Sequence, residues 1–179
     1  YGLACDPFNF ESLKKLFELK EREATKPLPL LISSKEDLLK FGVDYSKFEK
    51  LLNTYWPGPL TVVLKTNHNF FSGMIKDDGY VGFRVPNLDF VKDLIKNTGI
   101  PITGTSANMS GQPETKDINV LEDSLNLNIV KMIINISCGN EQSSSTVIKL
   151  SNNKVEMLRE GPIKSNQIKE ILGSNYEYK

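Results

Sequence analysis

A chain of 179 residues provides for one domain with a substantial core and leaves little room for two. Apolar residues make up 39% and charged residues 25%, ordinary values for a globular protein in water. Lys and Arg total 22 and so do Asp and Glu, which excludes the cationic excess of a nucleic-acid coat but not a local basic patch in a cleft.

Helix and strand signals alternate along the chain. Asn9 reads as an N-cap, with Phe10, Leu13, Leu16 and Phe17 at helical spacing up to about Lys20. The run from Leu28 to Ile32 contains Pro29 and reads as a strand near a sheet edge. Ser33 with Glu36 has the capping-box spacing and opens a second helix that Gly42 ends. A third helix covers roughly Ser46 to Tyr55, stopped by Trp56-Pro57-Gly58-Pro59.

Leu60 to Lys65 and Val81 to Val85 are rich in β-branched residues and read as strands. A helix from about Leu88 to Asn97 has Phe90, Val91, Leu94 and Ile95 on one face and Gly99 at its end. Pro101 to Thr105 reads as a buried strand running into a polar loop, Ser106 to Thr115. A helix around Val120 to Asn126 precedes strands at Ile129 to Ile136, Thr146 to Leu150 and Val155 to Leu158. The last two are joined by Ser151-Asn152-Asn153, a hairpin-length turn, and so should be antiparallel. Ser165 or Asn166 caps a final helix through Leu172, followed by a polar tail. These elements predict one α/β domain over residues 1–179, with a mixed sheet.

Cys5 and Cys138 form no CxxC pair, which excludes a disulfide scaffold or cysteine zinc site and suits a reducing, cytoplasmic setting. The apolar run around Ile133-Ile134 is too short to span a bilayer, and no signal-peptide pattern is visible.

Four places hold more polar chemistry than folding requires. Lys20, Arg22 and Lys26 follow a helix, where cations either complement its dipole in water or meet an anionic ligand. Arg84 alternates onto the face of Gly82, as a solvated residue or as a two-pronged donor to a carboxylate. The stretch Thr103 to Gly111 is a strand entering a loop of hydroxyls and amides, either a turn or the ligand end of an open sheet. Ser143 to Thr146 leads into a strand, and Arg159 closes the next one; the alternatives are a flexible linker and a surface arginine. The lone histidine, His68, lies in a polar stretch without partners for a triad or a metal. Cations, hydroxyls and amides without histidine suit the handling of nucleotides and carboxylates.

These residues resemble the YrdC-like threonylcarbamoyl-adenylate synthase family. Tyr1 to Asp6, Leu19 to Arg22, Lys26 to Leu30, Trp56 to Thr61, Val81 to Pro86, Ser106 to Gly111 and Ser145 to Val147 are similar to family motifs in the family's order. Any one is common; the ordered set, extending to about Gly161, is specific. The resemblance implies an open, twisted mixed sheet flanked by helices, with a deep, positively lined cavity. It implies a nucleotidyltransferase that joins L-threonine, bicarbonate and ATP into threonylcarbamoyl-AMP and pyrophosphate, with Mg²⁺ carried on the ATP phosphates.

Position by position, the resemblance gives Lys20, Arg22, Ser106 and Asn108 as a catalytic tetrad. Arg22, Lys26, Asn108, Thr115 and Arg159 would bind ATP, and Arg84, Ser106 and Ser145 would bind threonine. The implied partner is a complex that transfers the threonylcarbamoyl group to tRNA. The family places a helix and strand before the tyrosine, so a single short-form domain lacking them is expected. Two rival readings are a carbamoyl-adenylate module of a hydrogenase-maturation carbamoyltransferase and a non-catalytic binder of structured RNA.

Overall fold

The computed structural model describes residues 1–23, 25–71, 74–136 and 144–179. In chain order the strands are Gly2–Leu3 (β1), Leu30–Leu31 (β2), Leu60–Lys65 (β3), Tyr80–Arg84 (β4), Ile102–Thr103 (β5), Thr105–Ser106 (β6), Thr146–Ser151 (β7), Lys154–Arg159 (β8) and Glu177–Tyr178 (β9). The α-helices are Phe10–Leu19 (α1), Asp37–Lys40 (α2), Glu49–Tyr55 (α3), Asp89–Thr98 (α4), Ile118–Ser124 (α5) and Ser165–Leu172 (α6). Among the described residues, seven strands form a mixed sheet in the order β5-β2-β4-β3-β7-β8-β9, and β1 pairs with β6 in a separate two-stranded sheet.

Alternation gives the large sheet two unlike faces. Leu60, Val62 and Leu64, Val81, Phe83 and Val85, and Ile148 and Leu150 are all buried. They join Leu13, Leu16 and Phe17 of α1, Leu51 and Leu52 of α3, and Ile168 and Leu172 of α6 in one core. The other face carries Thr61, Val63, Gly82, Arg84, Val147 and Lys149, most of them half-exposed. Register confirms this grouping, since Val63 lies opposite both Gly82 and Lys149 while Val62 lies opposite Phe83 and Ile148. One face therefore anchors the fold, and the other is left for polar work.

Strand β8 would present Arg159 to the core if it simply alternated after Met157. A register shift prevents this: Ile148 pairs with Met157, but Val147 pairs with Arg159, leaving Leu158 as the extra residue. Such a bulge re-aims the following side chain. Arg159 is thereby turned onto the open face, beside Val147.

Several expectations are corrected. The capping carboxylate of the second helix is Asp37, not Glu36; it accepts from Ser33 N at 2.9 Å, Ser33 Oγ at 2.6 Å and Ser34 N at 3.3 Å. The helix is accordingly short, at Asp37–Lys40. The strand expected from Pro101 to Thr105 is divided at Gly104, where a Cβ would meet Leu31 Cγ at 2.8 Å. Thr103 pairs with Leu30 in the large sheet, whereas Thr105 pairs with Leu3 in the small one. Helix α4 buries Ile95 but leaves Phe90 43% exposed.

Among residues 129–136 no strand forms; Leu127–Ile129 is a turn of 3₁₀ helix instead. The polar tail contributes β9, parallel to β8, with Lys154 opposite Glu177. The hairpin expectation holds: β7 and β8 are antiparallel, and Asn152 takes the left-handed conformation at φ 53°. The final helix ends at Leu172 as expected, but its cap is Lys164 rather than Ser165 or Asn166: Ser165 is already helical, and Lys164 N–H donates to Gln167 Oε1 at 2.8 Å.

Candidate active site

Helix α1 is opened by Asn9, whose side chain accepts from Ser12 N at 2.9 Å. It closes at Lys20, after which Glu21 turns the chain at φ 47°. This reversal folds the Lys20 side chain inward, to 2% exposure. Its Nζ donates to Ser106 O at 2.5 Å, Asn108 O at 2.6 Å and Asn108 Oδ1 at 3.1 Å, so all three ammonium protons can be used. Lys20 O also accepts from Ser110 N at 2.9 Å. One residue thus ties the end of α1 to the loop after β6.

That loop is braced from the other side by β1, with Gly2 opposite Ser106 and Ala107 N donating to Tyr1 O at 3.0 Å. Ser106 Oγ donates to Asn108 Oδ1 at 2.6 Å, and Asn108 Nδ2 donates to Gln112 O. The four residues read from sequence as a tetrad do not all touch, but Lys20, Ser106 and Asn108 form one hydrogen-bonded group. Burial, then the neighbouring Arg22, pushes the Lys20 pKa down to about 8, partly offset by Glu114.

Arg22 closes the turn that follows: Nε donates to Lys26 O at 2.7 Å and Nη2 to Pro27 O at 3.3 Å. Burial lowers its pKa, yet a guanidinium stays charged. Lys26 points to the surface, pairing with Glu23 at 3.2 Å. Such an exposed pair contributes little to stability and leaves the ammonium easily recruited.

A second group lies on the open face of the sheet. Thr61 Oγ1 and Ser145 Oγ are 2.9 Å apart, both buried. Arg159 reaches Ser145 twice, from Nε to its carbonyl at 3.0 Å and from Nη2 to its hydroxyl at 3.2 Å. Arg84 shares this face, and its Nε donates to Gly58 O at 2.8 Å, in the turn that follows the cis Trp56-Pro57 bond. Gly82 packs closely against Pro29 and Thr61: a Cβ there would lie 3.2 Å from Pro29 Cβ and 3.4 Å from Thr61 Cγ2.

The two groups are linked by Glu114, which accepts from Ser144 Oγ at 2.5 Å while its charge acts on Lys20. Thr115 is a turn residue: its carbonyl accepts from the Tyr1 amine at 3.0 Å and its Oγ1 from Asp117 N at 3.0 Å.

Sequence reasoning gave no role of their own to Thr61, Glu114 or Thr146, although Thr146 lies in the Ser143 to Thr146 stretch. Thr61 sits in the Pro57 to Thr61 motif and alternates with buried Leu60 and Val62, a signal that could have found it. Thr146 accepts from Gly161 N and Ile163 N, each at 3.0 Å, and fixes the turn after Arg159. Glu114 had no local signal.

Ser143 lies outside the described residues, as does Cys138, whereas Ser145 is placed. His68 packs among aromatic rings, 4.6 Å from Phe70 and 5.2 Å from Phe41 between centroids. Two hollows, of about 290 Å³ beside Phe48 and Leu150 and about 70 Å³ beside Val155 and Ile168, lie away from both polar groups. Among the described residues no cluster of three His, Cys, Asp or Glu could hold a metal, and no helix is long and apolar enough to cross a membrane.

Comparison with known proteins bears on this arrangement. The family model for Sua5, YciO and YrdC proteins, described as "Telomere recombination", matches residues 1–161. The threonylcarbamoyl-AMP synthase of Vibrio campbellii is 31% identical over 148 residues, covering 80% of each chain. That of Bacillus subtilis is 32% identical over 181 residues, covering 97% of this chain and 50% of its own. The crystal structure of Pyrococcus abyssi Sua5 complexed with L-threonine superposes with a TM-score of 0.87 at 28% identity. This chain is covered in full but spans 52% of that protein, about half its length. With the motifs, the mixed sheet and the family match coinciding over residues 1–161, the chain belongs to the Sua5/YciO/YrdC family.

Proposed function

We propose that this chain is an L-threonylcarbamoyl-adenylate synthase. The observation that carries the reading is the buried Lys20 ammonium holding Ser106 and Asn108, with Arg22 beside it. A buried ammonium that fixes the Ser106 and Asn108 loop through its oxygens, with a guanidinium beside it, suits an anionic ligand such as a nucleotide phosphate better than a neutral one. The names of the Vibrio and Bacillus relatives, and the L-threonine bound to Pyrococcus Sua5, support the same assignment.

The reaction has two stages. The threonine amine, as the free base, adds to bicarbonate and loses water to give a carbamate. A carbamate oxygen then attacks the α-phosphorus of ATP, the bond to the bridging oxygen breaks, and pyrophosphate leaves. Two anions must meet, and charge builds on the phosphate oxygens. Catalysis is therefore chiefly positioning and electrostatic stabilisation.

In this reading Lys20, Arg22, Ser106 and Asn108 are the catalytic tetrad, and Arg22, Lys26, Asn108, Arg159 and the weaker Thr115 hold ATP. Arg84 takes the threonine carboxylate, and Ser106 and Ser145 complete that pocket. Mg²⁺ would arrive on the phosphates. A tRNA-modifying transfer complex in the cytoplasm would consume the product, and one domain with this activity occupies residues 1–179.

Pyrophosphate release from ATP, with Mg²⁺ and bicarbonate, tests the proposal. Release should require L-threonine and fall by at least about 100-fold in Arg22→Ala, the scale of losing one charge-stabilising donor. Turnover supported by carbamoyl phosphate without threonine would favour the carbamoyltransferase reading. RNA binding with no ATP turnover would favour the RNA binder.

A further inference from the structure

The hydroxyl of Ser145 can accept two hydrogen bonds and donate one. Arg159 Nη2, 3.2 Å away, can only donate, so it occupies one lone pair. Thr61 Oγ1 lies 2.9 Å from the same oxygen, where geometry allows either hydroxyl to be the donor. The surroundings decide between them. Thr61 is 3% exposed, and among the described residues Ser145 is the partner of its hydroxyl. Were Ser145 the donor, the Thr61 proton would be buried without an acceptor, an arrangement folded proteins avoid. Donation from Thr61 satisfies that proton and fills the second lone pair of Ser145.

Both acceptor sites of Ser145 are then taken by the protein, and its own O–H remains as a donor toward the open face. We propose that Thr61 is a positioning residue that, with Arg159, commits Ser145 to donating, so that this point of the site selects an anionic acceptor oxygen of the amino-acid substrate. The proposal rests on the synthase reading and deepens it. An alcohol or an ammonium presented there could not donate to Ser145, because no lone pair is left to receive it. Specificity of this kind is strong, since a polar group left unpaired in a closed site costs more than a lost contact.

Calorimetric binding of L-threonine and of L-threoninol, which replaces the carboxylate by an alcohol, tests this on the full chain. The variants are Thr61→Val, which keeps the β-branched shape without the hydroxyl, and Thr61→Ser, which keeps the hydroxyl. The wild type should prefer L-threonine. Thr61→Val should bind L-threonine about tenfold more weakly and show a smaller preference over L-threoninol, as expected for one hydrogen bond to a charged group. Thr61→Ser should restore both.

In a Ser145→Ala background, Thr61→Val should have no further effect, which separates hydroxyl orientation from general damage to the strand. An unchanged preference in Thr61→Val, or an equal loss in the Ser145→Ala background, overturns the inference. Absence of L-threonine binding by the wild type overturns the synthase reading and this inference with it.

Discussion

Arg159 holds Ser145 at two points, its Nε on the carbonyl at 3.0 Å and its Nη2 on the hydroxyl at 3.2 Å. A planar guanidinium can span backbone and side chain of one residue and still keep N–H groups for an anion. This grip depends on the bulge between Val147 and Ile148, which brings Arg159 onto the face of Ser145.

Arg159→Lys should therefore not behave as a conservative change. An ammonium concentrates its three protons at one point and lacks the rigid planar fork with which the guanidinium reaches the carbonyl and the hydroxyl of Ser145 from separate nitrogens. The expected outcome is a rise of about tenfold in KM for both ATP and L-threonine, the effect of one charge-assisted bond. Steady-state kinetics with each substrate varied in turn would check it, alongside a thermal midpoint close to that of the wild type.

Lys20 makes stability depend on pH in an unusual direction. Its pKa is lowered from 10.5 to about 8 in the folded protein, chiefly by burial. Between those two values the unfolded chain binds the extra proton, so this residue's contribution to stability rises with pH across that window. Below about pH 8 both states are protonated and the cost of the buried charge is fully present. Lys20→Met should lack this rise, which urea midpoints of both proteins from pH 7 to 10.5 would measure. Turnover should fall as pH passes through about 8, because deprotonation removes the positive charge proposed to stabilise the nucleotide side of the site.

Asn108→Asp would place an anion where ATP phosphates are proposed to bind. It would keep the acceptor used by Lys20 Nζ at 3.1 Å and Ser106 Oγ at 2.6 Å, but lose the donor to Gln112 O. Nucleotide affinity should drop by at least about tenfold, while the Lys20 pKa rises beside the new carboxylate. A fluorescent-nucleotide titration and an upward shift of the alkaline limb of activity would check the two effects together.

Gly161 has no room for a side chain. A Cβ there would lie 2.4 Å from Ser144 O and 2.7 Å from Thr146 N, both backbone atoms. Gly161→Ala should cost about 1–3 kcal/mol, the range for overpacking, and loosen the segment that presents Ser145. Chemical denaturation would give the stability change, and a parallel rise in KM for L-threonine would tie it to the site.

Much of the frame was legible in the sequence because its causes are local. The Asn9 cap and the spacing of Leu13, Leu16 and Phe17 set α1, and the β-branched residues between Leu60 and Lys65 marked that strand. The candidate residues were legible as types in motifs, and Lys20, Ser106 and Asn108 do meet. Local rules failed where two signals competed within a turn. Asp37 took the cap expected of Glu36 because one carboxylate could satisfy Ser33 and Ser34 together.

The sequence by itself determined which residue types are available, the periodicity of most elements and the motifs that identify the family. The tertiary structure decided the rest: the burial of Lys20, the division of a strand at Gly104, the outward turn of Arg159 and the pairing of Thr61 with Ser145. The physical reason is range. Helical and strand periods are set by dihedral preferences and neighbours a few residues away, whereas Thr61 and Ser145 are separated by 84 residues and meet through the parallel pairing of β3 with β7. Which lone pair of a buried hydroxyl is filled depends on that register, and register is a property of the assembled sheet.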